Sequence, residues 1–320
     1  MRSHRPRILL LFSGGLDSIL AAKLLEEQGV QIVALFFKSY FFSSQTTKKM
    51  SASLKLKFRE EDISKSQLNV VKNPRYGYGS ALNPCIDCHL LMLKKAAQIM
   101  RKEKFDGVAT GEVLGERPMS QNRQALDLIE KEAGLKGLLI RPLSARLLEA
   151  SELEKSGLIN RAKLEGISGR SRARQFALAE KYGVKNFPTP AGGCLLTNKE
   201  YGEKLKLLLD FKKNIIRQEI NLLKAGRVFK FKNNILVIGR NAADNKLLHK
   251  NFTQSMVLIE SKDVPGPTTI ILGRHSRKDL PEILSKIVSY IKKEKMRNAE
   301  ALKFIYLKNH TQKIINHILG

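Results

Sequence analysis

The sequence predicts an α/β protein: a doubly wound parallel sheet over residues 1–210 and a small, basic α+β domain over residues 211–320. Three observations lead there. Short, continuous apolar runs alternate with stretches of helical periodicity through the first part of the chain, the pattern of parallel strands buried on both faces. The first run, Arg7–Phe12, passes through a Gly-Gly turn directly into a helical pattern that Gly29 stops. Beyond Asp210 the pattern changes to paired apolar runs separated by turn residues, and 320 residues suit two domains.

Taken in order, Arg7–Phe12 is a strand, Ser13-Gly14-Gly15-Leu16-Asp17-Ser18 a loop, and the helix behind it carries Ile19, Leu20, Ala22, Leu24 and Leu25 at helical spacing. Gln31–Phe37 is a second buried strand, Ser43–Lys57 a Ser/Lys-rich helix, and Leu68–Val71 a short strand. Lys72–His89 is a Gly/Pro/Asn-rich loop, and Leu90–Arg101 continues as a helix. Phe105–Ala109 is a strand running into Thr110-Gly111-Glu112, Gln121–Ala133 a helix, and Leu138–Ile140 a strand leading to Arg141-Pro142-Leu143. Helices follow near Leu147–Ser156 and Ser171–Tyr182, then a Pro/Gly loop, Asn186–Thr197, and a Lys-rich helix or helix pair, Tyr201–Leu223. In the second domain, Arg227–Lys232 and Ile235–Gly239 form a hairpin around Asn233-Asn234, and Asn241–Lys250 is helical. Met256–Glu260 and Thr268–Leu272 are strands, and Pro281–Lys295 is a basic amphipathic helix. In a doubly wound sheet the loops at the carboxyl ends of the strands converge, and ligands bind there.

The charge is strongly one-sided, with 57 Lys and Arg against 30 Asp and Glu, net +27. Residues 211–320 hold 22 basic and 8 acidic side chains, so the second domain is the more basic per residue. Such an excess points to a polyanionic partner, nucleic acid above all. No apolar run approaches the roughly 18 residues a membrane helix needs, and Ile8–Phe12 is too short for a signal peptide. The expectation is a cytoplasmic protein with no membrane partner.

A Gly-Gly turn at a helix start lets several N–H groups point at one anion, with the helix dipole behind them. Ser13, Gly14, Gly15 and Ser18 would line that site, Ser13 and Ser18 adding hydroxyl donors. Asp17 can hold a magnesium ion bridging phosphates. The loop has neither the Gly-Lys-Ser/Thr of the Walker motif nor the G-x-G-x-x-G dinucleotide spacing. SGGLDS resembles the pyrophosphate loop (PP-loop) of the ATP pyrophosphatase superfamily. The resemblance implies a fold of the adenine nucleotide α-hydrolase type. It also implies ATP cleavage between the α and β phosphates, with Mg2+ and with Gly111 beside the nucleotide.

All three cysteines, Cys85, Cys88 and Cys194, fall in loops at that end of the sheet. Three thiolates can hold a 4Fe–4S cluster with one iron open, where a hydrosulfide would be a sulfur nucleophile. Alternatively Cys88 and Cys194 are a persulfide carrier and its resolving thiol, or the three close a zinc site with His89. SGGLDS, the NPCIDCH loop, TGEVLGERPMSQ (Thr110–Gln121), RPL (Arg141–Leu143) and PAGGCLLT occur in one order, and together they resemble the tRNA thiouridine synthetases. The TGE-x-L-G-x-x-x-SQ pattern is similar to the 4-thiouridine synthetases, and NP-x-x-x-C to the catalytic-cysteine loop of the 2-thiouridylases. The resemblance covers about residues 7–200. It implies an ATP-dependent tRNA sulfurtransferase with Cys88, Cys194 and Asp17 catalytic, supplied by sulfide or by a persulfide from a cysteine desulfurase. The paired and distant cysteines are similar to those of cluster-bearing tRNA thiolases. The sequence reads as lacking the N-terminal RNA-binding domain of 4-thiouridine synthetases.

ILVIGRNAADNKLLHK (Ile235–Lys250) followed by KDVPGPTTIIL (Lys262–Leu272) resembles the NFACT-R type of RNA-binding domain. Gly239-Arg240-Asn241, at a strand-to-helix turn, suits a backbone phosphate. Arg240, Lys246, Lys250, Lys262 and Arg274 are the expected contacts, with Arg170, Arg172 and Arg174 of GRSRARQ as a second basic cluster for tRNA or ATP phosphates. Asp87 reads as a general acid or a helix-start carboxylate, and Glu112 as a nucleotide contact or a helix cap. A synthetase of the amidotransferase type on a small substrate, and a non-enzymatic RNA- or ribosome-binding protein, are the alternative readings.

Overall fold

Consecutive residues of a strand face opposite sides of its sheet, and the first strand, β1 (Arg7–Leu11), buries both. Ile8 and Leu10 enter one core, and Leu9 enters the other. The same alternation runs through β2 (Gln31–Lys38), where Ile32 and Ala34 share the first core and Leu35 and Phe37 the second. The structure, a computed structural model, describes residues 5–43, 45–185, 187, 193–297 and 299–319. It divides into two domains, Met1–Asn198 and Lys199–Gly320.

In the first domain β1 and β2 join β3 (Lys57–Asp62), β4 (Gly107–Thr110) and β5 (Leu139–Ile140) in a sheet of order β3-β2-β1-β4-β5, parallel throughout. Helices α1 (Leu16–Glu26) and α7 (Ala173–Lys181) pack together on one face. Helices α4 (Cys85–Glu103) and α5 (Arg123–Glu132) cover the other. Two shorter helices, α2 (Gln45–Ser53) and α3 (Ser64–Lys72), flank β3, and α6 (Glu152–Lys155) follows β5. This is the expected doubly wound sheet. The strand order reverses between β1 and β4, so the loops after these two strands adjoin.

Two elements differ from expectation. Leu68–Val71 is not a strand but lies in α3, where Leu68 and Val71, three positions apart, share the buried face. The third strand is KFREED, an edge strand with no fully buried position. Its charges suit an edge that must not recruit further strands.

The second domain begins earlier than the expected boundary near Asp210. Helix α8 (Lys199–Phe211) buries Leu205 and Leu208 against the second domain's own sheet. Helix α9 (Arg217–Leu222) follows, then the hairpin β6 (Arg227–Phe231) and β7 (Asn234–Ile238). Its turn is Lys232-Asn233, with Lys232 at φ 50°. Helix α10 (Ala242–Asn251), β8 (Val257–Ser261), β9 (Thr269–Gly273) and α11 (Leu280–Val288) complete the anticipated elements. Helix α11 stops at Val288, short of the expected Lys295. Strands β10 (Ala301–Lys308) and β11 (Thr311–Ile318) add a hairpin not foreseen, whose turn residues Asn309 and His310 both take positive φ. The sheet order is β11-β10-β8-β9-β7-β6, antiparallel throughout. Among the described residues no helix is long and apolar enough to cross a membrane.

Candidate active site

Gly14, at φ 76°, makes the turn from β1 to α1 in the left-handed region that glycine tolerates. A Cβ there would stand 3.1 Å from Thr47 Cα. Thr47 also donates its hydroxyl to the Ser13 carbonyl at 2.8 Å, so the segment after β2 buttresses the turn. The two serine hydroxyls close the loop on itself: Ser18 Oγ donates to the Gly15 carbonyl (2.8 Å), and Ser13 Oγ accepts from the Gly15 N–H (3.2 Å) and donates to Ser18 Oγ (3.3 Å). In this structure the hydroxyls of Ser13 and Ser18, expected to face a ligand, bond within the turn and shape it. The first intrahelical donor is Ile19, bonded to the Gly15 carbonyl, so the N–H groups of Leu16, Asp17 and Ser18 precede the helical ladder.

Gly111, just past β4, meets this turn. A Cβ on it would lie 2.6 Å from Ser18 N and 2.7 Å from the Asp17 carbonyl carbon. No larger residue fits without moving backbone.

Asp17, in the first turn of α1, faces Arg172, whose Nη2 lies 3.3 Å from Oδ1. Burial pushes the Asp17 carboxyl up, against the lowering effect of Arg172. Glu116 stands on the other side of the same guanidinium, 3.9 Å from Nε, and is pushed up by burial and by the charge of Asp17. Arg172 keeps Nε and Nη1 buried with no hydrogen-bond partner. Two carboxylates that repel each other and a guanidinium with spare donors fit a magnesium–phosphate ligand, since the ion and the anion would each satisfy one part. Glu116 was missed in the sequence, although it lies inside the TGEVLGERPMSQ motif. Of the neighbouring arginines, Arg174 is bound to Glu165 (2.7 and 3.1 Å) and Arg170 is exposed. Of these three arginines, Arg172 is the one paired with Asp17.

Cys85 begins α4 and Cys88 follows one turn later, on the same side of the helix. Cys88 Sγ accepts from Gln67 Nε2 (3.4 Å) and Cys85 Sγ from Asn83 Nδ2 (3.1 Å). Cys194 precedes a single 3-10 turn, Leu195–Thr197, that is tied to the segment after β2 by the Leu195 N–H on the Phe41 carbonyl (3.1 Å). Asn186 and 188–192 of that loop lie outside the described residues. Burial pushes the Cys88 thiol up to about 12, with the charges of Cys194 and Cys85 adding to it. Burial likewise pushes Cys194 up to about 11, again with Cys85 adding. The three thiols therefore feel one another's charge. They do not amount to a metal site: among the described residues no three His, Cys, Asp or Glu side chains form a group that could hold a metal ion. The 4Fe–4S ligand set of Cys85, Cys88 and Cys194 is not assembled. Nor is a zinc set with His89 assembled among the described residues; His89 bonds Glu112 through Nδ1.

Glu112 lies at the centre of a buried network. It accepts from His89 Nδ1 (2.7 Å), Arg141 Nε (3.1 Å) and Thr110 Oγ1 (3.0 Å). Arg141 also donates to Glu130 (2.6 Å) and to the Leu126 carbonyl (3.2 Å). Burial would raise the Glu112 carboxyl, but the His89 hydrogen bond and the Arg141 charge outweigh it and hold the group at about 2. Glu112 is thus neither a nucleotide contact nor a helix cap. Asp87 accepts the N–H groups of Arg75 and Tyr76 at 3.0 Å each, which organises the loop before α4 and leaves no role as a general acid.

In the second domain the turn at Gly239-Arg240-Asn241 is already occupied. Asp244 Oδ2 accepts from Arg240 Nε (2.7 Å), the Arg240 N–H (3.1 Å) and the Gly226 N–H (3.0 Å). Asp244 thus engages Arg240 Nε and the N–H groups of Arg240 and Gly226, while the Arg240 side chain stays 42% exposed. Lys246, Lys250, Lys262 and Arg274 are exposed.

A parallel sheet whose first βα turn reads SGGLDS, with a second glycine loop pressed onto it, defines a PP-loop α/β domain. The chain belongs to the thiamine biosynthesis protein (ThiI) family, whose model matches residues 4–164. The NFACT protein RNA binding domain matches residues 226–317. Both resemblances read from the sequence are borne out. The tRNA-specific 2-thiouridylase MnmA of Karelsulcia muelleri is 27% identical over 250 residues, 72% of this chain and 61% of that protein. The protein named "Probable tRNA sulfurtransferase" of Finegoldia magna is 33% identical over 148 residues, 43% of this chain and 36% of that protein. The chain thus spans less than two thirds of either relative. A solved structure described as a predicted subunit of tRNA methyltransferase, from Methanocaldococcus jannaschii, superposes with TM-score 0.33 at 18% identity, over 43% of this chain and 69% of that one.

Proposed function

We propose that this protein is an ATP-dependent tRNA sulfurtransferase acting in the cytoplasm. One observation carries the reading. The Thr110-Gly111-Glu112 loop touches both halves of the required chemistry, Gly111 against the PP-loop turn and Glu112 against His89, the residue after Cys88.

ATP binds with its phosphates on Gly14, Gly15 and the first-turn N–H groups of α1. Asp17 and Glu116 would hold a magnesium ion, which neutralises phosphate charge when bound. Arg172 turns its unpartnered donors to the phosphates. A uridine carbonyl oxygen attacks the α phosphate, pyrophosphate leaves, and the uridine becomes an O-adenylate. The N–H groups are fixed before the reaction and favour the charge that grows on the phosphoryl oxygens. Adenylation makes a ring oxygen a leaving group.

Cys88 carries the sulfur as a persulfide: its thiolate attacks the outer sulfur of a persulfide donor, and the donor leaves as a thiolate. The terminal sulfur on Cys88 attacks the adenylated carbon and AMP departs. Cys194 then attacks the Cys88 sulfur, releasing the thiouridine and leaving a Cys88–Cys194 disulfide, which a dithiol reductant opens. The two thiols lie close enough for the charge of Cys194 to act on Cys88, which supports pairing them as carrier and resolving thiol; each must lose its proton to react. The second domain brings tRNA, supported by its match to an RNA-binding domain and its surplus of basic residues.

The test is release of AMP and pyrophosphate upon addition of tRNA, with thionucleoside analysis of the product. Wild-type protein should form both, and Cys88→Ala should adenylate without forming thionucleoside. Tight binding of iron and acid-labile sulfide by anaerobically purified, active protein, lost in Cys194→Ala, would replace the persulfide route with a cluster on the same cysteines. ATP turnover that needs no RNA would reject the reading.

A further inference from the structure

On β6, the edge strand of the second sheet, an aromatic residue meets a tyrosine just beyond α11. The rings of Phe229 and Tyr290 stack with centroids 6.1 Å apart and planes 22° from parallel. The Arg227 guanidinium carbon lies 4.6 Å from the Tyr290 centroid. Arg227 and Phe229 are two apart on β6 and so on one side of it, which puts Tyr290 between them. The result is a three-tier ladder of guanidinium, phenol and phenyl. Lys286, one helical turn before Tyr290, sits 4.8 Å from the Phe229 ring and 5.6 Å from Tyr290. All of it is at least partly exposed.

The cations distinguish this ladder from ordinary core packing. Lys232, which also lies over an aromatic ring, is neutralised by Asp279 at 2.8 Å and Glu282 at 3.1 Å. Among the described residues neither Arg227 nor Lys286 makes such an ion pair. Their charges rest on ring faces alone, which orient them without cancelling them.

We propose that Arg227, Tyr290, Phe229 and Lys286 form a binding site for an unpaired segment of RNA. A base extends the ladder by stacking on the guanidinium plane, and Lys286 takes a neighbouring phosphate. Flat cations and aromatic rings are what unstacked bases pack against, and the ring faces accept any base. An acidic protein segment would match the charge but has no use for the ladder. The inference rests on the reading that this domain binds RNA, not on the sulfur chemistry.

The experiment is titration of the full chain into single-stranded RNA carrying one 2-aminopurine, over a range of salt. Wild-type protein should bind with a large change in 2-aminopurine fluorescence. Arg227→Lys keeps the charge and removes the plane. It should retain the salt dependence but lose most of the fluorescence change and about 5- to 100-fold in affinity. Lys286→Gln should lower the slope of log affinity against log salt by about 0.7, one phosphate on a single strand. Unchanged thermal melting shows that both variants fold. Arg227→Lys with wild-type affinity and fluorescence response overturns the proposal, as does equal binding of duplex RNA or preference for a poly-glutamate competitor. A protein without thiolation activity would pass or fail this test equally well.

Discussion

His89 and Glu112 stand 2.7 Å apart, imidazole Nδ1 to carboxylate Oε1, and this contact joins the helix that carries Cys85 and Cys88 to the loop that presses on the PP-loop turn. Glu112 is enclosed, and the His89 hydrogen bond and Arg141 charge outweigh the cost of burial and hold it ionised at about 2. A carboxyl whose folded value lies below its ordinary 4.5 stabilises the protein above that ordinary value. The contribution is lost as pH falls from 4.5 toward 2. Glu112→Gln should cost about 3 kcal/mol in urea unfolding at pH 7, because Arg141 loses half its compensation. The gap from wild type should narrow at pH 3.

Gly111 and Gly15 give opposite expectations. Gly111→Ala drives a Cβ to 2.6 Å from Ser18 N, whereas at Gly15 the nearest atom is Ser13 Oγ at 3.4 Å and φ is −77°. Gly111→Ala should distort the turn and weaken ATP binding at least tenfold, about 1.4 kcal/mol, with a lowered melting temperature. Gly15→Ala should melt like wild type yet also bind ATP more weakly, since the added methyl occupies the space for phosphate oxygens. Calorimetric titration with ATP and thermal melts of both variants check this; unchanged ATP affinity in Gly15→Ala would remove phosphate from the turn.

Asp17 separates stability from activity. Its carboxyl is pushed up by burial, so its charged form is disfavoured in the folded chain and its contribution to stability declines as pH rises through its titration. Asp17→Asn should leave unfolding free energy at pH 7 within about 1 kcal/mol of wild type, or above it. Pyrophosphate release should fall at least a hundredfold, read in a coupled assay with tRNA.

The thiols are testable by alkylation. With Cys88 near 12 and Cys194 near 11, the thiolate fraction at pH 8 is about a hundredfold to a thousandfold below that of free cysteine. Iodoacetamide should label both slowly in the native protein, about ten times faster for each unit of pH, and at once in urea. Peptide mass mapping gives the rates residue by residue. Rapid labelling of Cys88 at pH 7 would mean its environment is open.

The strand–turn–helix from Arg7 to Glu26 was legible because its residues change from unbroken burial to helical spacing at a pair of glycines. The third strand was not, because KFREED has the composition of a solvated loop and owes its conformation to pairing with β2. Leu68 and Val71 were misread because a short apolar pair fits either period. The hairpin of Ala301–Ile318 turns on Asn-His rather than Asn-Gly, so its signal was weak. In the site, the arginine cluster was visible, but which of Arg170, Arg172 and Arg174 reaches Asp17 depends on the phase in which α7 starts. The cysteines were visible too. Their number suggested a cluster; among the described residues no group able to hold a metal ion is assembled around them.

The stretch between β2 and β3 serves two clients. Thr47 props the glycine turn through the Ser13 carbonyl, and Phe41 anchors the turn that follows Cys194. Most surface connections drift freely in length over evolutionary time, whereas an insertion or deletion here would disturb the nucleotide cradle and the third cysteine together. Variation among homologues of this chain should therefore bypass this connection and accumulate elsewhere.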